Sequence, residues 1–67
     1  MEITLNDQQK QVANGITVQQ LLDIEIPEKQ KGVAVAINNS VVNKTHWATT
    51  TIKENDNILI IRATQGG

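Results

Sequence analysis

The stretch Ile58-Leu59-Ile60-Ile61-Arg62-Ala63-Thr64-Gln65-Gly66-Gly67 decides how the rest of the chain is read. Four consecutive branched aliphatic residues suit a strand buried on both faces, which places Ile58 to Ile61 in the middle of a sheet. Past Arg62 the character changes. Ala63, Thr64 and Gln65 are small or polar and Gly66 and Gly67 carry no side chain, so residues 64–67 are expected to leave the body as a flexible thread. Extended, that thread reaches roughly 13 Å. It would present the terminal carboxylate of Gly67 with no side chain to obstruct entry into a narrow channel of another protein.

Working outward, 67 residues make one small domain with one core, near the size where folding hides only about 60% of the unfolded surface. Cysteine is absent, which excludes a disulfide framework, iron–sulfur ligation and a thiol nucleophile, and which suits a reducing cytoplasm. A net charge of −1 with scattered charges provides no field for nucleic acid. A single aromatic residue, Trp47, leaves no stacking platform for bases. The amino terminus lacks the basic and apolar regions of a signal, and no apolar run approaches membrane length, so neither membrane nor nucleic acid is expected as a partner.

The remaining elements follow from periodicity. Met1, Ile3 and Leu5 alternate with Glu2 and Thr4 as a strand, Asn6-Asp7 turns it, and Gln8 to Val12 returns as a polar edge strand. Ala13-Asn14-Gly15 breaks the pairing. Thr17 and Gln20 stand at capping-box spacing before a short helix whose Val18, Leu21 and Leu22 form one stripe. Ile24 or Ile26 extends that stripe, and Pro27 stops the helix. After the charged connector Glu28 to Gly32, Val33, Val35 and Ile37 alternate with Ala34 and Ala36 as a third strand. Asn38-Asn39-Ser40 turns tightly, Val41-Val42 follows as a stub, Thr45 can cap one turn carrying His46 and Trp47, and Thr49 to Ile52 has strand propensity. Lys53 to Asp56 makes the last turn. The order β-β-α-β-β-β, with the two most apolar strands side by side and parallel, gives an α+β fold: a β-grasp, ubiquitin-like arrangement of a mixed sheet packed on one main helix. Residues 1–63 form the domain and 64–67 its tail.

Taken in order, several residues now form a pattern: Asn6 after the first strand, Thr17-Val18-x-x-Leu21-Leu22, Val33-Ala34-Val35-Ala36-Ile37-Asn38, Val41-Val42 with Trp47 beyond, Asp56-x-Ile58-x-Ile60, and Gly66-Gly67. This pattern resembles the ubiquitin-like sulfur carriers of thiamine (thiazole) biosynthesis, the ThiS family, over essentially the whole length. The tryptophan after Val-Val favours that family over its relative, the molybdopterin synthase small subunit. Asn43-Lys44 and Asn55-Asp56 depart from the family's usual turn residues, Pro-Arg and Gly-Asp, with little consequence for chemistry.

The resemblance implies a protein co-substrate acted on by partner enzymes, not an enzyme. Gly67 would be adenylated by a ubiquitin-activating-type adenylyltransferase using ATP and magnesium, with no cofactor held by this chain. A persulfide from a sulfurtransferase, a cysteine desulfurase or the activating enzyme would then leave a thiocarboxylate, and thiazole synthase would take the sulfur. A carboxylate is a poor acyl donor, whereas the acyl adenylate offers AMP as leaving group. One histidine and no cysteine give too little for a self-contained catalytic set. The alternatives are a carrier of the molybdopterin type and a ubiquitin-like interaction or modifier domain.

Other residues have a plain reading beside a sharper one. His46 reads as a loop surface residue before a catalytic base, Trp47 as a cap over one end of the core before a ligand platform, and Asp56 as the end of a turn. The acids are dispersed and no ligand spacing supports a metal. If Ile58 and Ile60 face the helix, Leu59 and Ile61 face the other side beside Ala34 and Ala36, either as a bare sheet face or as a docking patch for a partner. Arg62, at the root of the tail, either pairs with the partner's acids or keeps the edge solvated.

Overall fold

In the computed structural model, which describes residues 1–28 and 31–62, five strands and one α-helix form two layers. The strands are β1 (Glu2–Leu5), β2 (Gln8–Gln11), β3 (Val33–Ile37), β4 (Ser40–Val42) and β5 (Asn57–Arg62), and the helix is α1 (Val18–Glu25). The sheet order is β2-β1-β5-β3-β4. β5 is therefore central, parallel to β1 with Leu5 opposite Ile58, and antiparallel to β3 with Val35 opposite Ile60 and Ala36 opposite Leu59. This mixed sheet with the closing strand beside the opening one is the expected arrangement.

Two hairpins flank β5, and each turns through two residues with positive φ: Asn6 (49°) and Asp7 (68°), then Asn38 (50°) and Asn39 (72°). Short polar side chains tolerate this left-handed region, and its twist matches that of the strands it joins. β2, the glutamine-rich strand, lies at one edge, where one side of its backbone faces solvent.

α1 carries the predicted capping box, with the Thr17 hydroxyl accepting from the Gln20 amide (3.1 Å) and the Gln20 side chain accepting from the Thr17 amide (3.0 Å). The two preceding helical donors are satisfied by the segment after β4: the Val18 amide donates to the Thr50 carbonyl and the Gln19 amide to the Trp47 carbonyl, both at 2.9 Å. Val18, Leu21 and Leu22 are buried against Ile3, Val35 and Ile58 in one core cluster. Ile26 extends the seal, while Ile24 is 65% exposed.

Residues 49–52 do not form the expected strand. The Thr50 carbonyl is committed to the helix start, and the Thr49 and Thr50 hydroxyls and amides all donate to the His46 carbonyl, which curls the chain locally. All that remains of sheet pairing is an isolated bridge between Thr17 and Thr51. Nor does Thr45 cap the turn before it. Asn43 is the cap of the 3-10 turn Lys44–His46, its side-chain oxygen accepting from both the amide and the hydroxyl of Thr45.

Candidate functional site

The strand that leads to the carboxyl terminus is paired with β3 along its length and with β1 over its first two residues, and its burial alternates sharply. Ile58 is 0% exposed and packs in the core, whereas Leu59 is 44% and Ile61 49% exposed. The expectation that Ile58 to Ile61 is buried on both faces is thus corrected. The helix covers one face, and nothing among the described residues covers the other. Period-two alternation decides which residues lie on the open side: an aliphatic run has no polar residue to mark its outer face, but its pairing partners do.

The open face divides into two halves. On β1 and β2 it presents Glu2, Thr4, Gln9 and Gln11, which share that face by register with Asn57 of β5. On the other half, Leu59 stands opposite Ala36 and Ile61 opposite Ala34, and Ala36 is in turn opposite Val41, which is 76% exposed. Leu59, Ile61, Ala34, Ala36 and Val41 make one apolar surface across three strands. Val41 joins it unforeseen. The signal was present in the alternation of Ser40-Val41-Val42, where Val42 turns inward towards the core and Val41 outward.

Arg62 does not join that surface. It stands opposite Val33 on the helix side of the sheet, and lines a shallow depression with Glu25, Ile26, Pro27 and Glu28 at the end of α1. Two acids of this chain, Glu25 and Glu28, thus line the same depression as Arg62. Leu59 and Ile61 are brought together by the fold, while Arg62 flanks the same strand from the other layer. Lys10 also reaches that end of the helix, forming an ion pair with Glu25 at 2.8 Å.

Two asparagines grip β5, a role that sequence reading alone missed. The Asn38 amide donates to the Asn57 carbonyl (2.8 Å), the Asn38 side-chain oxygen accepts from the Asn57 amide (2.9 Å), and its side-chain nitrogen donates to Asp56 (3.0 Å). Asp56 also accepts from the Lys53 amide at 2.8 Å, so it closes its turn and ties that turn to the β3–β4 hairpin. At the other end of β5, the Asn6 side chain accepts from the Ile60 amide (2.8 Å) and donates to the Ile60 carbonyl (3.3 Å). The local signal was that each asparagine is the first residue of a two-residue turn.

Trp47 is buried, with its indole N–H donating to the Val42 carbonyl at 3.1 Å and Lys44 lying over the ring, which is the expected cap on one end of the core. His46 is exposed in the loop. No cluster of His, Cys, Asp or Glu able to hold a metal occurs among the described residues, and no helix among them is long and apolar enough to cross a membrane. The expected tail residues Thr64, Gln65, Gly66 and Gly67 lie outside the described residues.

The family model described as the ThiS family matches residues 1–67. The sulfur carrier protein ThiS of Escherichia coli (strain K12) is 39% identical over 67 residues, covering 100% of both chains. Among solved structures, the crystal structure of a thiamine biosynthesis protein (ThiS) from Geobacter metallireducens superposes with a TM-score of 0.87 at 26% identity, covering 100% of both chains. The solution structure of a thiamine biosynthesis protein from the same organism gives 0.82 at 26% identity, covering 100% of this chain and 88% of that one.

Proposed function

The chain belongs to the ThiS family, and from that premise we propose that it is a sulfur carrier of thiamine biosynthesis whose own carboxyl terminus is the site of chemistry. The observation that carries this reading is the family match, which runs through Gly66 and Gly67 and includes the whole of the scaffold that precedes them. The Gly67 carboxylate attacks the α-phosphorus of ATP on a ubiquitin-activating-type adenylyltransferase, with magnesium held by that enzyme, and pyrophosphate leaves. A persulfide then attacks the acyl carbon and expels AMP, and cleavage of the sulfur–sulfur bond by a thiol frees the thiocarboxylate. The persulfide comes from a sulfurtransferase, a cysteine desulfurase or the activating enzyme itself, and thiazole synthase is the acceptor of the sulfur. All of these steps are catalysed by partners in the cytoplasm, and this chain supplies the acyl group.

In this reading Thr64, Gln65 and Gly66 form the thread that enters the partner's channel, and the domain of residues 1–63 is what the partner grips. Leu59 and Ile61 supply the apolar centre of the grip, being half-exposed side chains on a strand whose alternate residues are fixed in the core. Arg62 contributes from the helix side, where it lines the depression at the end of α1. The test is incubation with ATP, magnesium, the activating enzyme and a persulfide source, followed by intact-protein mass spectrometry. A carrier exchanges one oxygen for one sulfur at Gly67. A ladder of isopeptide-linked products would assign a modifier instead, and an unchanged mass would overturn both.

A further inference from the structure

We propose that Asn6 is a positioning residue for activation of the carboxyl terminus: its side-chain amide continues the β1–β5 ladder after β1 has turned away, and thereby fixes the point from which the closing segment departs. The proposal rests on the reading of Gly67 as the activated group.

The geometry is specific. β1 ends at Leu5, whose partner is Ile58, and the Asn6 amide still donates to the Ile58 carbonyl at 2.9 Å. In a parallel ladder the next two bonds would run from the Ile60 amide to the backbone carbonyl of residue 6 and from the amide of residue 8 to the Ile60 carbonyl. Neither can form in that way, because residues 6 and 7 turn through positive φ and residue 8 has already entered β2. The Asn6 side chain substitutes for both. Its oxygen accepts from the Ile60 amide at 2.8 Å and its nitrogen donates to the Ile60 carbonyl at 3.3 Å. Ile60 is thus held on its β1 side by one side chain, two residues before Arg62, while β3 holds β5 on the other side with Val35 opposite Ile60 and Val33 opposite Arg62. Without the clip, the last turn of pairing rests on β3 alone.

Few side chains could replace it. The position requires φ of 49°, which Gly, Asn and Asp tolerate. Asparagine alone of these offers both an acceptor and a donor; an aspartate carboxylate keeps the acceptor, and glycine keeps neither. Asn6→Asp and Asn6→Gly therefore form a graded series on an unstrained backbone. Asn38→Gly is the matched control, since Asn38 has φ of 50° and grips the opposite end of the same strand at Asn57.

The experiment measures amide hydrogen exchange at Ile60 by NMR, and kcat/KM for pyrophosphate exchange with the activating enzyme, on the full chain and the three variants. Asn6→Gly should speed exchange at Ile60 by about fivefold or more relative to Ile58. It should also lower kcat/KM by about fivefold or more, because residues once held must now be ordered in the partner. Asn6→Asp should restore most of the protection at Ile60 and recover part of the rate. Asn38→Gly should lower the melting temperature comparably while leaving kcat/KM within about twofold, since it releases the end of β5 remote from Gly67. Equal kcat/KM for Asn6→Gly and wild type, an equal loss in Asn38→Gly, or unchanged exchange at Ile60 would each overturn the role of Asn6. A wild-type chain that the enzyme does not adenylate would overturn the reading of Gly67 and this proposal with it, an outcome distinguished by wild type alone.

Discussion

Ile58 and Leu59 are chemically similar neighbours on one strand, and the fold buries one and exposes the other, so substituting each in turn separates folding from the proposed docking. Ile58 is 0% exposed, at the centre of the core cluster. Ile58→Val removes one buried methyl group at about 0.5–1.5 kcal/mol, including the small cavity left behind. For a domain of this size each kcal/mol lowers the melting temperature by about 7 °C, so Ile58→Val should melt about 4–10 °C below wild type. Against a total stability of about 3–10 kcal/mol the variant stays folded at 25 °C, whereas Ile58→Ala, at about 2–5 kcal/mol, puts the fold itself at risk. Leu59 is already 44% exposed. Leu59→Thr keeps strand propensity and removes an apolar tip that is half in water, at no more than about 1 kcal/mol. If the proposed docking buries that tip in the partner complex, its loss should raise KM for the activating enzyme about fivefold or more. The melts can be followed by fluorescence of Trp47, the only aromatic residue in the chain. Ile58→Val should therefore change the melt and not KM, and Leu59→Thr should change KM and hardly the melt. A KM for Leu59→Thr equal to that of wild type would refute docking through this face. A melt as low as that of Ile58→Val would mean that Leu59 is packed within the domain.

Thr17→Ala removes the acceptor for the Gln20 amide and should cost about 0.5–2 kcal/mol, a fall of about 4–14 °C in the same melt. Gly66→Val should abolish thiocarboxylate formation, read by intact mass, while leaving the melting temperature within about 4 °C, the range expected of a substitution outside the core. Lys10→Ala breaks the ion pair with Glu25, which is solvated at the sheet edge, and should shift stability by less than about 1 kcal/mol, with the difference from wild type shrinking as salt is raised in a urea titration.

Elements whose determinants are local could be read from the sequence. Thr17 and Gln20 needed only each other to make the capping box, and Met1-Ile3-Leu5 and Val33-Val35-Ile37 displayed their inner faces by alternation. Asn6-Asp7 and Asn38-Asn39 announced turns because both residues of each pair tolerate positive φ. What could not be read was decided by groups distant in sequence. Thr49 to Ile52 has strand propensity, yet it serves as the acceptor for the start of a helix some thirty positions earlier, so tertiary demand overrides propensity. Asn43 outcompeted Thr45 as a cap, in keeping with the higher N-cap preference of asparagine, two residues ahead of where the turn was expected to start. The run Ile58 to Ile61 gave the central strand but not its covering, since an aliphatic run carries no polar residue to mark the face that the helix leaves open.

That ambiguity is itself informative about the site. A strand with one permanently covered face would be expected to alternate apolar with polar residues, as β1 does with Glu2 and Thr4 on the open side. β5 keeps Leu59 and Ile61 there instead, at a cost in exposed apolar area, and β3 and β4 add Ala34, Ala36 and Val41 to the same half of the sheet. The open face is thus polar on β1 and β2 and apolar on β5, β3 and β4. A small domain with a single modest core has little stability to spare for such exposure. The division is accounted for if that half is covered while the terminus is being loaded and bare in between, which asks the surface to be apolar enough to dock and small enough, with two alanines at its centre, for the partner to leave.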